Sequence, residues 1–140
     1  MRINTKFVDG KKERFISLDI RRKVFIEEQG IPEEIEMDKS INATSVLALI
    51  NSQYVGTARY QKTESGIKLE RFAVLKEYRG LGIGKALVHF ICKKIDSSET
   101  IYLHAQESVV SFYMQFGFKT VKDRFFEAGI PHWQMIKNEK

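Results

Sequence analysis

Apolar positions along this chain follow two alternating rhythms. In "FISLDIRRKVFIEEQGIPEEIEMD", Ile16, Ile20, Val24 and Phe25 fall on one side of a helical repeat. That spacing predicts an amphipathic helix, stopped by Gly30 and Pro32 and followed by an acidic loop. The rhythm then shortens. "TSVLALI" and "YVGTARYQ" are β-rich runs separated by "NSQ", which reads as a hairpin turn, and a second turn at "TESG" leads into "IKLERFAVL". Helical spacing returns in Ile83, Leu87, Phe90, Ile91 and Ile95, with Lys85, His89, Lys93 and Lys94 between them. "TIYLHA" then reads as a strand, "SVVSFYMQF" as a short helix closed by Gly117, and "FKTVK" and "HWQMIK" as two last strands.

This order predicts an α/β (α+β) fold: a mixed central sheet of about six to seven strands with helices on both faces. The strand–helix–strand unit over 67–105 would pair its strands in parallel through a right-handed crossover. Its helix would start at the carboxyl end of the central strand, where open α/β sheets bind ligands.

The turn at that position is "EYRGLGIGKAL", with Gly80, Gly82 and Gly84 at alternate positions. A P-loop would need glycine where Arg79 stands and a hydroxyl where Ala86 stands. A dinucleotide fingerprint would need its third glycine at Lys85 or Leu87. Neither fits. What remains is a run of backbone N–H groups, unobstructed by Cβ atoms, opening into a helix whose first-turn N–H groups have no partner. Such a turn attracts a diphosphate, although tight packing alone would also call for glycine.

Composition narrows the rest. The 140 residues are expected to form one domain, 1–140, and 43% hydrophobic with 29% charged residues suits a globular protein. No apolar run approaches a membrane span and no signal-peptide pattern opens the sequence, so the expected location is cytoplasmic, with no membrane partner. The single cysteine, Cys92, excludes an internal disulfide, and three scattered histidines leave no Cys/His cluster at metal-ligand spacing, so no metal is expected. The net charge of +5 comes without basic clusters interleaved with aromatics, which argues against nucleic acid and leaves an anionic cofactor or no role beyond solubility.

Two motifs resemble a known family. R-x-x-G-x-G (Arg79, Gly82, Gly84) after the apolar strand "LERFAVL" is similar to the acetyl-CoA pyrophosphate motif of the GNAT N-acetyltransferases. "LHAQESVVSFYMQFGF", a strand leading to a short helix that ends Tyr-x-x-x-Gly-Phe, resembles a second GNAT signature. The superfamily likeness covers 44–121. "VFIEEQGIP" and "AGIPHWQM" extend it toward the ElaA-like branch of small bacterial acetyltransferases. Where many members carry Asn and Ala ahead of the helical tyrosine, this chain has Gln106 and Val109.

The resemblance implies an acetyl-CoA-dependent N-acetyltransferase acting by direct attack of a primary amine: that of an amino acid, a polyamine or a peptide N-terminus. It also implies a homodimer as one possible assembly. Transfer of another acyl group is an alternative, as is a CoA-binding module without turnover. Cofactor contacts are expected from the N–H groups of Arg79, Gly80, Leu81, Gly82, Ile83, Gly84 and Lys85, with the Arg79 and Lys85 side chains as charge partners. By resemblance the pantetheine arm pairs with Phe72, Ala73 and Val74, a Val74 N–H polarises the thioester carbonyl, and Gln106 lies beside the arm. Tyr113 is the expected acid, its phenol protonated at neutral pH. Glu70, on the strand parity of Phe72 and Val74, is the expected base, with its pKa raised by burial. An ion pair with Arg59 or Arg71 is its alternative role, with His104 and His132 as reserve bases. Glu27, Glu28 and the acidic loop through Asp38 would form one acceptor wall, with His132 and Trp133 facing them; for the outer residues of the loop a solvated charged surface is the preferred reading.

Overall fold

The apolar runs assemble into one seven-stranded sheet in a computed structural model, which describes residues 2–37, 42–96 and 98–137. The strands are β1 (Ile3–Phe7), β2 (Thr44–Ile50), β3 (Gln53–Thr63), β4 (Gly66–Val74), β5 (Ile101–Gln106), β6 (Phe118–Glu127) and β7 (Ile130–Lys137), in the order β1-β2-β3-β4-β5-β7-β6. The first four form an antiparallel meander, β4 and β5 pair in parallel, and the last three are again antiparallel. The helices are α1 (Gly10–Arg21), α2 (Glu33–Glu36), α3 (Ile83–Lys94) and α4 (Val110–Met114). A π-helical stretch, Arg22–Glu28, prolongs α1 without a break. Among the described residues no helix is long and apolar enough to cross a membrane.

Strand alternation gives the sheet two apolar faces. Val46, Ala48, Ala58, Leu69, Leu103 and Met135 pack with Ile83, Leu87 and Ile91 of α3 and with Tyr113 of α4. Leu47 and Ala73 point the other way, against Ile20, Val24 and Phe25 of α1 and its extension. Helices therefore cover both faces, as the apolar rhythm predicts.

The structure departs from the sequence reading in several places. β1 adds a seventh strand where "INTKF" carries no β-rich run, and α1 begins at Gly10, ahead of the expected start. α3 stops at Lys94, with Ile95 extended. β6 runs on through Glu127, well past "FKTVK".

A β-bulge in β4 overturns the parity assigned to Glu70. Thr57 pairs with Ala73 and Arg59 with Glu70, so β4 carries an extra residue there, and Arg71 turns through the left-handed region at φ 59°. The extra residue swaps the faces. Glu70 lies on the α1 face with Ala73, whereas Phe72 and Val74 pack on the α3 face.

Candidate active site

The parallel pairing of β4 and β5 ends early. Its register runs from Ile67–Ile101 to Leu69–Leu103, and beyond that the two strands part. β4 remains bonded to β3 and β5 to β7, so the backbone edges facing each other across the gap have no strand partner. The resulting cleft of about 590 Å³ opens to both faces of the sheet. An extended ligand placed there could take up those free edges.

The glycine turn closes one end. Gly82 caps α3 in the left-handed conformation at φ 91°, which favours glycine, and the N–H groups of Ile83, Gly84 and Lys85 begin the helix without intrahelical acceptors. A Cβ on Gly84 would lie 3.2 Å from Phe112 Cζ, so this glycine also lets α3 and α4 approach closely. Gly80, Gly82, Ile83, Gly84 and Lys85 line the cleft, whereas Leu81 is exposed outside the lining. Unobstructed N–H groups at a twelve-residue helix start suit a diphosphate.

Arg79 is already engaged. Its Nη1 and Nη2 donate to Glu28 Oε2 and Oε1 at 2.6 and 2.7 Å, and its Nε donates to the Val74 carbonyl at 2.9 Å. This fork holds the Glu28 carboxyl below its ordinary value. One residue on, Gln29 accepts from Gln106 Nε2 at 3.0 Å. The end of the π-helical stretch thus reaches both the glycine turn and the far strand. Glu28 lies against Arg79 at the glycine turn, Glu27 is exposed, and neither is part of the cleft lining. Glu36 turns inward, buried between Arg21 and Arg71, while Asp38 lies outside the described residues.

Tyr113 sits on α4 at 7% exposure, its ring edge-on to Phe72 at 5.7 Å and to Phe112 at 5.0 Å. It lines the cleft from the α3 face, and burial pushes its phenol pKa up, so the hydroxyl keeps its proton.

Glu70 sits at the first position beyond the pairing, on the opposite face. Its carboxylate is held by Arg59 Nε at 2.6 Å and Gln61 Nε2 at 2.7 Å, with Lys68 Nζ at 3.6 Å. Burial pushes its pKa up, but Arg59, Arg71, Lys68 and Gln61 together outweigh it and leave it below the ordinary value. The raised pKa expected of a base is therefore overturned: burial came with cations, and the carboxylate is an ion-pair partner.

Across the gap, His104 occupies the equivalent position on β5. Its Nδ1 lies 3.5 Å from Glu127 Oε2, and His132 Nε2 lies 3.6 Å from Glu127 Oε1. Glu127 is a cleft residue that sequence reasoning missed. The available signal was "EAGI": Ala128 and Gly129, at φ 51° and 76°, make the tight turn that sets Glu127 opposite Ile130 and keeps it beside the histidines.

The sequence pattern of the acetyltransferase (GNAT) domain family matches residues 14–139. The chain belongs to the GNAT acetyltransferase family. Protein ElaA of Escherichia coli (strain K12) is 30% identical over 86% of this chain and 84% of its own. YjcF of Bacillus subtilis (strain 168), named as an uncharacterised N-acetyltransferase, is 32% identical over 85% of this chain and 88% of its own. The crystal structure of ElaA shares the fold with a TM-score of 0.85, covering 98% of this chain and all of the other at 24% identity. So does an aminoglycoside 6'-N-acetyltransferase complexed with coenzyme A, with a TM-score of 0.75 at 20% identity, covering 100% of this chain and 98% of that one. This GNAT chain is accordingly an acyltransferase. Of its expected site residues, Phe72, Val74, Gln106, Tyr113, Glu70 and His132 line the one cleft, while Ala73 turns its side chain into the α1-side core.

Proposed function

We propose that this enzyme transfers an acetyl group from acetyl-CoA to the primary amine of a small molecule, such as an amino acid or a polyamine, or of a peptide N-terminus. The observation that carries the reading is the parting of β4 from β5 between the glycine turn and the Tyr113 hydroxyl. Acetyl-CoA supplies the activated acyl group and a thiol leaving group. The N–H groups of the 79–85 turn, with Arg79 and Lys85, hold the diphosphate. The free edge of β4 at Phe72, Ala73 and Val74 orients the pantetheine arm, with Gln106 at its side, and a Val74 N–H polarises the acyl carbonyl. Tyr113, kept protonated by burial, carries the proton that the departing thiolate needs. The amine enters from the α1 face, where Glu70, with Arg59, and His132 frame the opening.

The test is to incubate the protein with acetyl-CoA and a panel of amines, following free thiol and confirming the acetylated product by mass. Amine-dependent thiol release with a mass gain of one acetyl group supports the reading. CoA binding without release for any amine would favour the binding-module alternative.

A further inference from the structure

We propose that His104 is the catalytic base of this enzyme and that Glu127 is its positioning residue. This rests on the acetyl-transfer reading and adds the group that receives the amine's proton.

Four observations place His104 in that role. It stands at the first position of β5 beyond the last paired residues, Leu69 and Leu103, at the mouth of the gap on the face where the amine enters. Its Nδ1 is shut off from solvent and has no hydrogen-bond partner among the described residues. The polar atom facing that nitrogen is Glu127 Oε2 at 3.5 Å. The side chain as a whole remains 24% exposed, so its contact with the cleft belongs to the rest of the ring.

A buried ring nitrogen beside a carboxylate is most stable carrying the proton, since a lone pair there would face negative charge. Glu127 therefore fixes the tautomer with hydrogen on Nδ1 and the lone pair on Nε2. The carboxylate is half exposed at the hairpin end and can close the remaining distance to a hydrogen bond. His104 chiefly, with His132 and Lys68, holds the Glu127 carboxyl below its ordinary value against the opposing effect of burial, so Glu127 carries charge at working pH. Phe125 fixes the arrangement, edge-on to His104 at 5.1 Å and stacked on His132 at 5.8 Å. His132 donates through Nδ1 to the Ile130 carbonyl at 2.7 Å, and its Nε2 faces Glu127 from the other side.

Glu70, the competing carboxylate at the gap, is committed to Arg59 and Gln61. Charged and titratable groups that share the cleft lining with His104 include Lys68, Glu70 and Arg71 from β4, Glu36 from α2, Glu127 from β6 and His132 from β7, and Tyr102 lies beside it on its own strand.

The assigned step is a proton transfer. An N–H bond of the arriving ammonium breaks, an Nε2–H bond forms on His104, and the neutral amine keeps the lone pair that attacks the acyl carbon. As the C–N bond forms and the C–S bond breaks, Tyr113 gives its proton to the sulfur and regains the one the nitrogen sheds. The imidazolium, opposite the Glu127 carboxylate, returns its proton to solvent, so one proton is released per turnover.

The experiment combines kinetics with nitrogen-15 NMR of the His104 ring in the free protein. His104→Gln is expected to lower kcat about a hundredfold to ten-thousandfold and to remove the acid limb of the pH profile, with acetyl-CoA binding unchanged. The loss should shrink for a weakly basic acceptor that is already neutral at the assay pH. Glu127→Gln, a half-exposed change at a hairpin end, should lower kcat with acetyl-CoA binding unchanged. By nitrogen-15 NMR of the neutral ring, wild-type His104 should carry its hydrogen on Nδ1, and Glu127→Gln should shift the ring toward the Nε2–H tautomer, because the carboxylate that fixes the proton is gone. A wild-type rate and acid limb in His104→Gln would overturn the catalytic assignment, and an unchanged His104 tautomer in Glu127→Gln would overturn the positioning one. Wild-type protein that acetylates no amine would instead sink the acetyl-transfer reading, which the ring NMR does not depend on.

Discussion

Replacing Tyr113 with Phe removes one hydroxyl and leaves the ring among Phe72, Phe112 and Phe118, so folding and acetyl-CoA binding should survive. If the phenol supplies the thiolate's proton, kcat falls about a hundredfold to ten-thousandfold, and less with an acyl donor whose thiol leaves more readily. An unchanged kcat with acetyl-CoA would make Tyr113 a packing residue. Glu70→Gln should act on stability. It takes the carboxylate from Arg59, a side chain only 4% exposed, and loss of one member of a buried pair costs about 3 kcal/mol or more. Because the folded-state pKa of Glu70 is depressed, its contribution is present above the unfolded value and is lost as pH falls through the folded one. Urea midpoints of the two proteins should therefore differ at pH 7 and converge in acid; equal midpoints at pH 7 would refute the ion-pair role. Tyr113 was legible in the sequence because its motif fixes a helical position. Glu70 was placed on the wrong face because a single extra residue at Arg71 reverses strand parity, and nothing in "LERFAVL" announces a bulge.

The elements most readable from sequence were those with long apolar repeats: α3, the three-strand meander and β5. β1 escaped because "INTKF" is a short sheet-edge strand whose polar residues interrupt the apolar signal, and its place is settled by pairing with β2. The start of α3 was legible through its glycines, and the structure adds what each does. Gly82→Ala would force a Cβ into the left-handed cap, which costs about 1 kcal/mol or more, and would disturb the turn that aims the N–H groups. The expected result is a small fall in melting temperature and at least about a tenfold loss in acetyl-CoA affinity, equivalent to about 1.4 kcal/mol. Undiminished thermal stabilisation by acetyl-CoA would mean that the diphosphate does not depend on this turn.

Across the whole molecule, the sheet sorts the cleft residues by face. Tyr113 and the α3 helix start lie on one face, Glu70, His104 and Glu127 on the other, and the parting of β4 and β5 joins them. That division was not legible: plain alternation puts Glu70 with Phe72 and Val74, and the bulge at Arg71 reverses it. The long-range contacts were not legible either, since Glu28 and Arg79 meet only through the fold. Their fork links the π-helical extension of α1 to the glycine turn, and it has a consequence for affinity. A diphosphate that takes Arg79 must displace the Glu28 carboxylate, so part of the binding energy is spent separating an existing pair. Both side chains are substantially exposed, and such a pair is worth about 0.2–1 kcal/mol once solvent screening is included. Glu28→Gln keeps the side-chain length but removes the competing charge, so it should tighten CoA binding by up to about fivefold, conversion of that energy at 25 °C. The gain should diminish as salt rises, because the competition is electrostatic. Calorimetric titration with CoA at low and high ionic strength measures both effects. Weaker binding in Glu28→Gln would mean that the carboxylate orients Arg79 for the ligand, and the competition would then have the opposite sign.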